Sequence, residues 1–285
     1  MATASVTIPK NLSQRKRTGW GAIITRTLIN GRLPVAYGAF YAVLLAIIVG
    51  LIYPAISKLN LDIYLSSSVL TGILGTNLLK HLSGFTSLMA IELYSALYGL
   101  IFGGIIGYLA GAAIPATAEN GTLDLALARP VSRTRYYLET WLGSFFAAIL
   151  ISVLTVVAVW IGSLFVSNPG IDWQWLIITQ LIEFAFLFMS TGLGMLLGSF
   201  MDASRAAGGA AVGILFLFYM MNTLGGITDK LQWMLKIQPF YYAPGIQALV
   251  AHSVTAWYPW VLVIAGLILG LIGLVIFNKR DLPTT

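Results

Sequence analysis

Six apolar runs set what this chain can fold into: near Pro34–Ile56, Thr86–Ala113, Trp141–Val166, Trp173–Phe200, Ala206–Ile227 and Trp257–Phe277. A hydrocarbon core about 30 Å thick is crossed by roughly 20 helical residues, and each run is at least that long. In lipid a helix satisfies its own backbone, whereas an open strand does not. Four of the six runs contain no charged residue. Outside them little remains for a soluble domain, since the chain is 58% hydrophobic and only 9% charged. The expected fold is an all-α integral membrane protein with six transmembrane helices.

The first run lies behind 33 residues and is longer than the apolar core of a signal peptide, so it is expected to stay as the first span. Within those 33 residues, Trp20, Ile23, Ile24 and Leu28 share one helical face, while Arg26 and Asn30 lie on the other. Together with Arg15, Lys16 and Arg17 this predicts an amphipathic helix in the membrane interface. The expected division is therefore 1–33, a tail and amphipathic helix, and 34–285, a six-span domain.

Lysine and arginine orient the bundle. Twelve fall on the side of both termini: Lys10, Arg15, Lys16, Arg17, Arg26, Arg32, Arg129, Arg133, Arg135, Arg205, Lys279 and Arg280. Only Lys58, Lys80, Lys230 and Lys236 fall on the other. Both termini are thus expected in the cytoplasm, with the chain in the inner (cytoplasmic) membrane. The net charge of +6 forms a membrane rim rather than a groove interleaved with aromatics, which argues against nucleic acid as a partner.

The outer connections carry structure of their own. Leu70, Ile73, Leu74 and Leu78 share a helical face, predicting a helix on the outer surface. Residues 228–254 read as a re-entrant hairpin with helices at Leu231–Ile237 and Gly245–Ser253, broken at Pro239 and Pro244. Glycines recur every fourth residue at Gly99, Gly103, Gly107 and Gly111, and once each at Gly194/Gly198, Gly209/Gly213 and Gly266/Gly270. This spacing lets helices approach closely in lipid.

Chemistry-bearing residues are few. Cysteine is absent, and His81 and His252 each stand alone, so no metal site is expected. Glu92 and Glu183 lie inside spans two and four, at matched depth from the outer face. A charge at mid-membrane is costly and usually faces a cavity or a partner. They could line a path for cationic or protonatable substrates, or hold a proton and bond to Gln180, Ser190 or Asn222. Phe216, Phe218, Tyr219, Met220 and Met221 of span five could form an apolar gate at a dimer axis or simply pack.

The polar interruption between spans two and three, ENGTLDLALARPVSRTRYY from Glu119 to Tyr137, is the most informative stretch. Glu119–Ala128 reads as a short helix with a ridge of Leu123, Leu125 and Leu127, ended by Arg129 and Pro130. Ser132 can cap the next helix.

The run Glu119, Gly121, Thr122, Leu123, Asp124, Leu125, Ala128, Arg129, Pro130, Val131, Ser132, Arg133 resembles the E-x-G-T-L-[DE]-L-L-L-A-R-P-[VI]-S-R signature of type-2 ABC transporter permeases. Phe277, Lys279, Arg280, Asp281 and Leu282 are similar to that family's carboxy-terminal ending, and Gln238 to Tyr241 to its proline-aromatic element before the last span. The resemblance implies that residues 117–130 are a coupling helix docking into a separate ATP-binding subunit. That subunit would hold ATP and Mg, and this chain would bind no cofactor of its own. It also implies a second permease copy, a homodimer, and a connecting helix at Thr18–Leu33. No G-x-x-x-x-G-K-[ST] phosphate loop occurs here.

The expected function is therefore the permease of an exporter moving a small amphiphilic or lipid-like substrate, or a cation, by alternating access. The alternatives are an ATP-independent channel or secondary transporter using Glu92 and Glu183, and an intramembrane enzyme, for which the acids are a faint basis.

Overall fold

The computed structural model describes residues 21–56, 84–121, 131–227 and 229–280. The outer-surface helix expected around Leu70–Leu78, and His81, lie outside them. Six long helices form the bundle: α1 (Ala22–Ile56), α3 (Ala96–Glu119), α4 (Arg133–Ser163), α5 (Trp173–Phe200), α6 (Ser204–Ile227) and α8 (Tyr258–Lys279). Two short helices, α2 (Phe85–Leu93) and α7 (Gly245–Ala251), complete it, with 3-10 turns at Asp229–Met234 and Pro239–Tyr242. Among the described residues there is no strand. Each long helix is apolar enough to span a membrane, so the chain is an all-α, multi-pass membrane protein.

The centre is α5, which touches α3, α4, α6, α7 and α8. Its contact with α3 depends on missing side chains. A Cβ on Gly194 would meet Ala110 Cβ at 2.8 Å, and one on Gly198 would meet the Gly111 carbonyl oxygen at 2.5 Å. Backbone cannot yield there, so the two helices touch main chain to main chain. Gly266 of α8 sits as closely against Met189 of α5. Gly209 and Gly213 of α6 are different: nothing lies within 4 Å of either.

Three sequence expectations change. Span two is not one helix: it breaks at Tyr94–Ser95, where Ser95 Oγ accepts from Leu97 N–H (3.4 Å) and starts α3 afresh. The described part of the amphipathic segment, from Ala22 to Leu33, is not a separate helix: it is continuous with span one in α1, through Pro34, and Glu139 and Gly143 of α4 lie alongside it. Glu139 accepts from its first N–H groups, and Gly143 leaves a notch for Thr27. In the outer hairpin, Pro239 begins a 3-10 turn rather than breaking a helix, while Pro244 does precede α7.

Candidate functional site

Thr122, Leu123, Asp124, Leu125, Arg129 and Pro130 lie outside the described residues, but both ends of their segment are described. On the exit side, Glu119 closes α3 instead of opening a new helix. Its carboxylate accepts from Ser204 N–H (2.8 Å) and Ser204 Oγ–H (2.5 Å). A negative group at the first residue of α6 satisfies an unpaired backbone donor and complements the helix dipole. Gly121 follows at φ +61°, the left-handed conformation that glycine adopts just past a helix end.

On the return side, Ser132 Oγ accepts from Arg135 N–H (3.2 Å), the expected N-cap. The next residues reach outward in three directions. Arg133 donates to the Arg280 carbonyl (2.7 Å), and Arg280 pairs with Asp202 and donates to the carbonyls of Ser199 and Met201. Arg135 donates to Glu139 (2.7 Å). The buried Glu139 also accepts from Gly21 N–H (3.2 Å) and Ile23 N–H (3.3 Å), so it caps α1 from α4. Tyr136 and Thr117 join α4 to α3 through a 2.7 Å hydroxyl pair. All six long helices are thus tied together within three turns of the segment's ends.

Sequence reasoning passed over Glu139, Asp202 and Ser204. The signal for Glu139 was present: an acid four residues after Arg135, at the mouth of a long apolar helix. What it caps, 116 and 118 residues away in sequence, left no local trace.

The two intramembrane acids do not form a pair. Glu92 is exposed on α2, whereas Glu183 is 2% exposed inside α5. Gly245 of α7 lies directly over Glu183 Oε1, and a Cβ there would collide with that oxygen and with the Tyr94 carbonyl. The three side chains expected to bond a buried carboxyl are engaged elsewhere. Gln180 bridges Tyr94 and Tyr98 (3.0 and 2.8 Å), and Ser190 donates to the Phe186 carbonyl (3.0 Å). Asn222 accepts from Gln238 (2.8 Å). The span-five aromatics also divide: Phe218 and Tyr219 pack inward near Phe240, and Phe216 faces out. His252 stacks flat on Trp175 at 5.2 Å. Among the described residues no group of three or more His, Asp or Glu is placed to hold a metal ion.

A family model described as ABC-2 family transporter protein matches residues 25–282. Comparison with curated proteins gives no match.

Proposed function

Because the chain belongs to the ABC-2 family of transporter proteins, whose permeases work with an ATP-binding partner, we propose that residues 117–130 carry the partner's motion into the bundle. The observation that supports this is the set of bonds at both ends of the segment. Glu119 holds α6, while Arg133 and Arg135 reach α8 and α1. A displacement of the segment has short, charged routes to every long helix. Thr122, Leu123, Asp124, Leu125, Arg129 and Pro130 form the docking element, with ATP and Mg on the partner. The chain is an export permease of the inner membrane with both termini cytoplasmic, as the basic residues favour. A second copy pairs with it through the open Gly209–Gly213 face of α6, beside Phe216.

Glu183 is the acid we assign to the substrate path, together with Asn222 of α6, which accepts from Gln238. Gly245 of the short α7 lies against the Glu183 carboxyl, so a shift of the outer hairpin would change what covers it. An outward-facing opening there suits release of a small amphiphile or cation. Glu92, exposed on α2, does not share that position.

The test is copurification from the native membrane of wild type against Leu123→Asp/Leu125→Asp. The expected result is a phosphate-loop ATPase with wild type and none with the variant. If no ATPase accompanies wild type under gentle extraction, the coupling role is wrong, and Glu183 becomes the centre of an ATP-independent mechanism.

A further inference from the structure

The end of α8 and the start of α4 form one block. Phe277 packs on Tyr136 and Tyr137 with ring centroids 6.2 and 5.8 Å apart. Asn278 donates to Thr134 (3.1 Å), and the Arg280 carbonyl accepts from Arg133 (2.7 Å). Asp281 and Leu282, the rest of the carboxy-terminal motif, lie outside the described residues.

The Arg280 side chain carries this block on to a third helix. One of its nitrogens donates to the carbonyls of Ser199 (3.3 Å) and Met201 (3.4 Å) at the end of α5, and another pairs with Asp202. A cation there satisfies carbonyls that the helix leaves open and complements its dipole. The planar guanidinium fork reaches carbonyls and carboxylate together. Gly273 adds close packing, since it brings α8 against Leu196 and Ser199 of α5.

Past that grip the chain is no longer helical. Met201 is extended (φ −92°, ψ 143°), and α6 begins only at Ser204. Residues 201–203 therefore join the most buried long helix to the least buried one. Glu119 of α3 holds Ser204, just beyond this turn. Helix α6 in turn packs on α3, where Gly208 meets Tyr108 and Ala211 meets Gly107. The two grips on the turn come from opposite ends of the 122–130 segment: Glu119 precedes it, and Arg133, which anchors the Arg280 carbonyl, follows it. Between the grips Asp202 and Ala203 are exposed, so the backbone can turn there without disturbing a packed side chain.

We infer that Arg280 is a positioning residue for coupling: it fixes the α5 half of the turn, so that motion arriving through Glu119 is taken up at Asp202 and Ala203 and shifts α6 against α5. This rests on the coupling role proposed for residues 117–130. An Arg280 that only stabilised the fold would not decide which helix moves.

The chain has no cysteine, so nitroxide labels can be carried by single cysteines replacing the exposed Phe200, Ala206 and Lys279. The full chain is purified with the ATPase that accompanies it, labelled copies are diluted with unlabelled ones, and electron paramagnetic resonance reads each separation with and without ATP. In wild type the separation of 206 from 279 is expected to change by about 2 Å, the scale of a helix shift, while that of 200 from 279 stays put. In Arg280→Ala position 200 should move with 206, and Arg280→Lys, which keeps a charged donor at the end of α5, should restore most of the difference. Should Arg280→Ala fail to fold, the wild-type pair of separations still decides. Movement of both positions in wild type, or of neither, overturns the inference, as does the wild-type pattern in Arg280→Ala. If no ATPase accompanies the chain, the coupling role falls and this inference with it; an ATPase present with the wrong pattern overturns this inference alone.

Discussion

Helices α5 and α6 follow one another in the chain and have the same mean hydropathy, yet 78% of the apolar window of α5 is buried and only 17% of that of α6. Each carries a pair of glycines four residues apart. In α5 these glycines seat against the backbone of α3; in α6 they face open space. The same motif thus serves as an internal joint in one helix and leaves a vacant face on the next. Hydropathy identifies a span, and only the neighbours decide what the span is for.

Substitutions can break this comparison, and the largest effect belongs to α5. Gly198→Leu drives a side chain into the Gly111 carbonyl, and is expected to cost about 3 kcal/mol or more. Thermal unfolding in detergent should show a lower midpoint or no folded protein. Next comes Glu139→Ala, which uncaps α1 and removes the Arg135–Glu139 ion pair. A loss of about 2 kcal/mol is expected, read by the same melt, with Glu139→Gln recovering part of it.

Gly213→Leu sharpens the contrast from the other side. Monomer stability should change by no more than about 0.5 kcal/mol, while pairing through α6 is lost. The chain has no cysteine, so a single cysteine at Phe216 reports pairing by disulfide crosslinking. A strong crosslink that survives Gly213→Leu would place the second copy elsewhere. The smallest effect is expected from Glu119→Gln, whose amide oxygen can still accept from Ser204 N–H while its NH2 donates to Ser204 Oγ in a reversed bond, and which removes the charge from the start of α6. Unfolding should be unchanged, while ATPase stimulation by substrate in the assembled transporter falls modestly.

Much of this arrangement is legible in the sequence because a membrane enforces it. Span length and the Ser132 cap are compositional or local, so six helices and their order follow directly. The features that escaped depend on distant partners. Tyr94 and Ser95 sit in an unbroken apolar run, and nothing in its hydropathy marks the break. Pro34 reads as a helix boundary by local preference, but Glu139 and Gly143 keep the helix going on both sides of it. Glu92 and Glu183 look equivalent in the chain, and only tertiary packing, with Glu183 in the central α5 under Gly245 of α7 and Glu92 on the short α2, separates an enclosed acid from an exposed one.

The bonds at the ends of the 122–130 segment carry a mechanical consequence. One end is fastened to α6 through Glu119, the other to α1 and α8 through Arg135, Glu139 and Arg133. Under the proposed coupling role, a push on the segment would be divided, as a differential gear divides torque, between two sets of helices that meet along α3 and α5, and their relative slip, rather than the rotation of the bundle as one body, would be the motion passed on.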